Sequence, residues 1–458
     1  MKVILKNIAS KFGLDKAIIF TSLTRIIGAL GSIGSVILVV KCFKDVEQGF
    51  YYTFGSIVAI QIFFELGLNG IITQFVAHEV SNLKWDRENL LMGETKYISR
   101  LSSLLHFSVK WYASFAAMLL ISLIVVGIVF FKRYDTTNGT VNWVAPWILL
   151  SGGTSINLLL SPVMAFMQGL GKVKEIAQFQ LIQQIFQLSI IWGGLIFGAK
   201  LYVLGMSSFM GVFFLAIALV VKYRKILTNI WKSEIVEKVH YGTEIFPYQW
   251  KIALSWVSGY FIFQLFNPVL FATEGAVVAG QMGMTLAALS GILSLSLGWI
   301  TTKVPLFSGL IAQQQYDQLD YIFNKTLKQS SLINLGALVL MAVVMFFIRF
   351  LNIEISGKPL GNRFLNFIPM FFMMITVFLN QIVAAWATYL RCHKKEPFLI
   401  NSIVAGILCS LSIIVFGKHF GVIGVTSGYC LVIVLLFPWS YYIFRTKKIE
   451  WHKNAIYQ

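Results

Sequence analysis

Stretches of about 20 apolar residues, the length of helix that crosses a bilayer core, recur along the whole 458-residue chain with short polar interruptions. A chain of this kind has lipid as its solvent. Its composition, 57% hydrophobic and 12% charged, excludes a soluble core and leaves no room for a large aqueous domain. The stretches predict helical spans near 17–40, 50–75, 109–131, 144–169, 176–198, 201–221, 251–272, 276–301, 329–350, 364–390, 398–417 and 421–444.

A formal charge of +18 raises nucleic acid or anionic lipid as partners, but the placement of the Lys and Arg gives it another meaning. About three-quarters of them fall in alternate connections on one side, and that bias sets orientation. It predicts that both termini are cytoplasmic, together with the long connections 76–108, 222–250 and 302–328. No nucleic acid partner is expected. The first stretch follows Lys2, Lys6, Lys11 and Lys16; it is too long for a signal-peptide core and reads as a retained helix. Leu310, Tyr316, Leu319 and Phe323, set among Gln and Asp, predict an amphipathic helix on the membrane surface. Cys42, Cys392, Cys409 and Cys430 are scattered and form no CxxC or Cys/His cluster, so neither a metal site nor a disulfide framework is specified.

Features repeat at about half the chain length. Glu47-Gln48-Gly49 follows the first span and Glu274-Gly275 the seventh. Trp85-Asp86 with Leu90 is echoed by Tyr316-Asp317 with Leu319. Met167-Gln168-Gly169-Leu170-Gly171-Lys172 leaves the fourth span and Tyr389-Leu390-Arg391-Cys392-His393-Lys394 the tenth. Copies with an even number of spans share one orientation, which predicts a pseudo-twofold axis along the membrane normal. The resulting domains are an N-terminal six-helix lobe (1–221), a cytoplasmic linker (222–250), a C-terminal six-helix lobe (251–444) and a basic cytoplasmic tail (445–458).

The six-plus-six arrangement, the glutamate-glycine corners, Phe64-Glu65-Leu66-Gly67-Leu68-Asn69 at the end of the second span, and the basic turns after spans four and ten form a combination. Together they resemble the Wzx-type polysaccharide flippases of the multidrug/oligosaccharidyl-lipid/polysaccharide exporter superfamily. The resemblance implies an all-α, MATE-like fold of two parallel six-helix lobes around a central cavity, in the bacterial cytoplasmic (inner) membrane. It implies alternating access, and movement of an undecaprenyl-pyrophosphate-linked oligosaccharide from the cytoplasmic to the periplasmic leaflet for O-antigen or capsule synthesis. Its implied partners are that lipid-linked oligosaccharide, membrane lipids, a polysaccharide polymerase and a chain-length regulator. A cation-coupled multidrug antiporter of the same superfamily is the alternative reading. An integral-membrane glycan polymerase is a lesser one, because the loops hold no DxD pair, P-loop or HExxH helix; no enzyme activity and no cofactor are expected. Coupling to sodium, protons or the membrane potential stays open.

Ionisable side chains inside a span need a partner, water or a purpose. Arg25 in the first span and Glu65 in the second fall at a similar predicted depth of roughly 12–14 Å. They read either as a phosphate-binding guanidinium with its orienting carboxylate or as a structural ion pair. Gln180, Gln183, Gln184 and Gln187 share one helix face at i, i+3, i+4 and i+7, facing either a cavity or another helix. Gln264 and Asn267 make a polar break beside Pro268, which predicts a kink. Ser161-Pro162 and Pro369 are the other predicted hinges. Gly28, Gly31 and Gly34 predict close helix approach, and the Trp and Tyr residues at span ends, such as Trp111, Trp147 and Trp250, predict interface anchors.

Overall fold

The computed structural model describes residues 16–86, 90–137, 139–355, 357–393 and 395–454; Lys2, Lys6, Lys11 and Lys394 lie outside them. The protein is an all-α polytopic membrane fold. Its helices are α1 (Lys16–Cys42), α2 (Asp45–Val58), α3 (Ile62–Glu65), α4 (Leu68–Val80), α5 (Thr95–Tyr134), α6 (Val144–Gly169), α7 (Val173–Ile196) and α8 (Tyr202–Lys232). They continue as α9 (Phe246–Phe263), α10 (Phe266–Thr273), α11 (Ala276–Thr301), α12 (Val304–Ala312), α13 (Tyr316–Phe350), α14 (Phe367–Arg391) and α15 (Leu399–Asn454). Two hairpins of two-residue strands, Lys84–Trp85 with Leu91–Met92 and Glu354–Ile355 with Lys358–Pro359, sit in connections.

Among the described residues ten helices are long and apolar enough to cross a membrane, and the bent pair Asp45–Glu65 with Leu68–Val80 makes an eleventh span. Helix α15 counts once among these, although its backbone leaves helical geometry at Gly421, with φ 57° and ψ −143°. That conformation is one only glycine adopts at low cost. Divided there, α15 supplies two spans, and the expected twelve are present.

Several boundaries differ from those read in the sequence. The second span does not end at Phe64–Asn69. Leu66 and Gly67 are left-handed, with φ 50° and 65°, and the helix resumes as α4 after a 40° bend. The long connections are largely helical extensions: α5 starts at Thr95, α8 runs to Lys232 and α13 starts at Tyr316. Leu310, Leu319 and Phe323 are not on the membrane surface but in a core with Trp386, Tyr389 and Phe444. Beyond residue 444, α15 continues to Asn454, and Lys448 bonds Asp320 at 2.7 Å. Trp85 lies in a hairpin and Tyr316 opens a helix, so that sequence echo has no structural counterpart.

The chain divides into two compact units. The first holds residues through Thr24, Ile57–Arg133 and Asn142–Val257. Helix α6 is its centre, and small residues set the spacing. A methyl on Gly153 would meet Ser208, one on Gly205 Leu149, and one on Gly127 Trp147. Trp147 is accordingly buried in the core rather than at an interface, its indole N–H donating to Leu123 O at 2.9 Å. The predicted linker is divided between the end of α8 and an extended strap. Ser99 Oγ accepts the Val236 and Glu237 amides at 2.7 and 2.8 Å. Arg100 bonds Glu79 at 2.9 Å and Glu244 at 2.6 Å.

The second unit holds Arg25–Ser56, Tyr134–Val141 and Ser258–Gln458. It therefore includes most of α1 and α2, which the sequence halves assign to the N-terminal lobe. The reason is a backbone contact between the two glutamate-glycine corners: a methyl on Gly49 would overlap the Ala276 backbone. Arg363, between α13 and α14, fastens this corner. Its guanidinium side chain is 1% exposed and lies 2.8 Å from Asp45. It also donates to Phe43 O at 2.8 Å and Gln48 Oε1 at 3.2 Å, while Gln48 donates to Gly280 O at 2.8 Å. Burying a guanidinium is costly unless its donors are spent, and removing one member of such a pair leaves the others unsatisfied. Arg363→Leu is expected to lower stability by roughly 3 kcal/mol, read as a lower unfolding midpoint of the detergent-purified protein. An exposed substitution such as Arg224→Leu, beyond the span, leaves the midpoint unchanged.

Candidate functional site

The interruption of the seventh span builds a polar-lined site inside the second unit. A proline has no N–H, so Pro268 cannot bond the carbonyl four residues earlier, that of Gln264. The helix stops at Phe263 and restarts at Phe266, with Gln264 and Leu265 in a turn between the two segments. Pro268 thus sits in the first turn of α10, where a missing N–H is tolerated, and the predicted kink lies three to four residues before it. Asn267, 4% exposed, donates to Ser56 Oγ at 3.0 Å, while its Oδ1 is buried without a partner among the described residues.

This break opens on a cavity of about 460 Å³ within the second unit. Tyr52, Ser56, Gln264, Asn267, Ser290, Thr376, Asn380 and Tyr429 give it polar walls, between apolar residues that include Phe263, Phe266 and Leu293. Asn380 donates to the Tyr429 hydroxyl at 3.1 Å, and Tyr429 meets Phe266 edge-on at 4.9 Å between ring centroids. No lining residue is charged. Such a surface offers neutral donors and acceptors beside aromatic faces.

The next residue, Gln381, shows the contrasting arrangement. It is fully buried, donates to Ser330 Oγ at 2.8 Å and accepts from Ser331 at 3.0 Å. Ser330 in turn donates to Ser296 O at 2.6 Å. That network joins helices α11, α13 and α14.

The other predicted residues are distributed over both units. Glu65 ends α3 in the first unit and accepts from Asn69 Nδ2 at 2.7 Å. Asn69 Oδ1 accepts from the Tyr112 hydroxyl at 2.9 Å, so this carboxylate is held by a chain of neutral donors. Arg25 belongs to the second unit and is exposed on α1. On α7, Gln183 is buried and Gln180, Gln184 and Gln187 are half-buried. A methyl on Gly211 of α8 would meet the Gln187 amide, so this end of the stripe is an interhelical contact. Among the described residues no group of three or more His, Cys, Asp or Glu could hold a metal ion.

The predicted hinges differ in kind. Pro369 is in the first turn of α14 and interrupts nothing. Pro162 is inside α6, where it deprives the Leu158 carbonyl of its donor. Ser161 Oγ donates to that carbonyl at 2.8 Å and repairs the loss. Of the cavity's remaining walls, Asn380 was open to detection as an amide in the middle of the tenth span. Tyr52, Ser56 and Tyr429 carry no such signal, since Ser and Tyr occur throughout these helices.

No family model matches the chain, and neither does any curated protein sequence. Solved structures do match. The inward closed conformation of the lipid II flippase MurJ shares 14% identity, with 96% of this chain and 91% of that one covered and a TM-score of 0.56. The outward-facing conformation of a multidrug resistance MATE family transporter of the MOP superfamily shares 13%, with 94% and 96% covered and a TM-score of 0.55. A MOP superfamily transporter from Pyrococcus furiosus shares 12%, with 94% and 96% covered and a TM-score of 0.51. The fold is therefore that of MATE and MurJ transporters over nearly the full length.

The repair of α6 is testable by a double-mutant cycle. Ser161→Ala is expected to cost about 1 kcal/mol in thermal unfolding, and to cost nothing in a Pro162→Ala background, where the restored amide bonds Leu158. Equal costs in both backgrounds would show that Ser161 has no such role.

Proposed function

We propose that the chain is an alternating-access exporter of the bacterial inner membrane, with both termini cytoplasmic, that moves a lipid-linked oligosaccharide to the outer leaflet. One observation carries this reading: the 460 Å³ cavity is walled by amides, hydroxyls and aromatic rings without a charged side chain. These groups match the hydroxyls and apolar faces of a sugar, whereas a desolvated cation needs a carboxylate to offset its burial. For the MOP superfamily transporter from Pyrococcus furiosus, reverse polarity of the binding pocket suggests a different function, and we take the neutral polarity of this cavity in the same way. With the cytoplasm negative, an anionic pyrophosphate moving outward gains about 2.3 kcal/mol per charge per 100 mV. Arg25 is the residue we assign to that anion. The amides of α7 are secondary sugar contacts, and a polymerase and chain-length regulator are the proposed partners downstream.

A cation-coupled multidrug antiporter is the second reading. It is favoured by the similar structures, which are named as MATE multidrug transporters more often than as flippases, and Glu65 is the in-span carboxylate it would use. Complementation of a deletion strain separates the two. The flippase reading expects loss of surface glycan on deletion and full rescue by Glu65→Gln, whose amide oxygen still accepts from Asn69. Unchanged surface glycan, together with ethidium efflux that Glu65→Gln abolishes, would establish the antiporter instead.

A further inference from the structure

Two more cavities lie in the second unit, and their walls connect. One of about 220 Å³ shares Phe263, Leu293 and Asn380 with the 460 Å³ cavity of the candidate site. The other, about 740 Å³, lies between α12 and the end of α14 and is lined by Ser308, Thr388, Cys392 and His393 among others. Arg391, the last residue of α14, borders both the 220 and the 740 Å³ cavities. Each far exceeds the roughly 10–15 Å³ that a single water requires. The three form a file from the broken seventh span to the basic end of the tenth, inside one unit rather than between the two.

The polarity of the file is graded. Asn401, in the wall of the 220 Å³ cavity, is 6% exposed, and its Oδ1 accepts from Ser440 at 3.3 Å. Its Nδ2 is buried with no partner among the described residues. A buried amide donor without a partner calls for an acceptor, and its own cavity is bordered by a guanidinium. Glu396 binds Arg391 through Nε and Nη2 at 2.7 and 3.0 Å but lines neither cavity. Burial holds the His393 imidazole below its ordinary range, which leaves Arg391 to carry the charge of this passage. No acidic residue lines any of the three cavities.

We infer that the second unit contains its own hydrated path from its basic end to the candidate site, with Arg391 and Asn401 forming a station for a small anion or anionic headgroup. The path does not rest on the proposed substrate. A guanidinium at the mouth of a mostly apolar passage raises the entry rate of anions over cations, and the free amide of Asn401 supplies the second donor that an anion requires.

Thiol accessibility from the inner face tests it. In a chain with Cys42, Cys392, Cys409 and Cys430 replaced by Ser, Asn401→Cys and, separately, Ser402→Cys place reporters in the 220 Å³ cavity. Inside-out vesicles are treated with methanethiosulfonates of similar size, one carrying a sulfonate and one a trimethylammonium. The sulfonate is expected to react about tenfold faster, relative to a free thiol, at one or both reporters; Arg391→Gln removes the preference and Arg391→Glu inverts it. Failure of both reporters to react, in protein that still runs as a folded species in detergent, would overturn the path. Equal rates for the two reagents with Arg391 present would overturn the anion station.

Discussion

Every amide and carbonyl of a helix in hydrocarbon must find its partner within the protein, because no water is there to replace one. The rest of this structure follows from how that constraint is met where spans are interrupted. At Leu66–Gly67 the turn is made by two left-handed residues, with Leu66 N still bonded to Ile62 O at 3.1 Å. At Pro162 the Ser161 hydroxyl stands in for the missing amide, and at Gly421 the chain uses a backbone conformation reserved for glycine. In the seventh span the break at Gln264–Leu265 faces a cavity, and the buried Asn267 side-chain oxygen has no partner among the described residues. A buried acceptor left unpaired costs stability, so its place beside that cavity is what links the local chemistry to function.

The same economy explains the second unit. Gly49 and Ala276 bring two corner backbones into contact, and this closeness leaves room for Arg363 to spend its donors on Asp45, Phe43 and Gln48. A buried charge outside the spans is tolerated there because Nη1 and Nη2 both meet acceptors, with only Nε unpartnered among the described residues. The corner that sequence repetition pointed to is thus a packing device, and it moves most of α1 and α2 into a unit with the C-terminal helices.

Much of the fold was legible because lipid simplifies the code: a span announces itself by length and apolarity, and the all-α polytopic architecture was read correctly. What escaped has local causes. The bend inside the second span escaped because periodicity does not reveal a two-residue break within a continuous apolar run. The connections read as loops became helical extensions because buried faces such as Leu101, Leu104 and Leu105 pack against partners distant in sequence. At the site, Gln264 and Asn267 were visible as amides in an apolar run. Tyr52, Ser56 and Tyr429 were not, since only the meeting of five spans gives them a common wall. Pro369 misled for the opposite reason: its rule depends on position within the helix, and the true start at Phe367 places it in the first turn.

The central claim is that a neutral, amide-walled cavity on a MATE-like fold serves a sugar-bearing lipid rather than a cation. The most direct measurement is leaflet exposure of a fluorescent undecaprenyl-pyrophosphate oligosaccharide in vesicles holding the purified protein. The account predicts protein-dependent transfer that Asn267→Leu slows and Glu65→Gln leaves intact. No transfer of the lipid above protein-free vesicles, with ion-gradient-driven movement of a cationic dye by the same preparation, would contradict it.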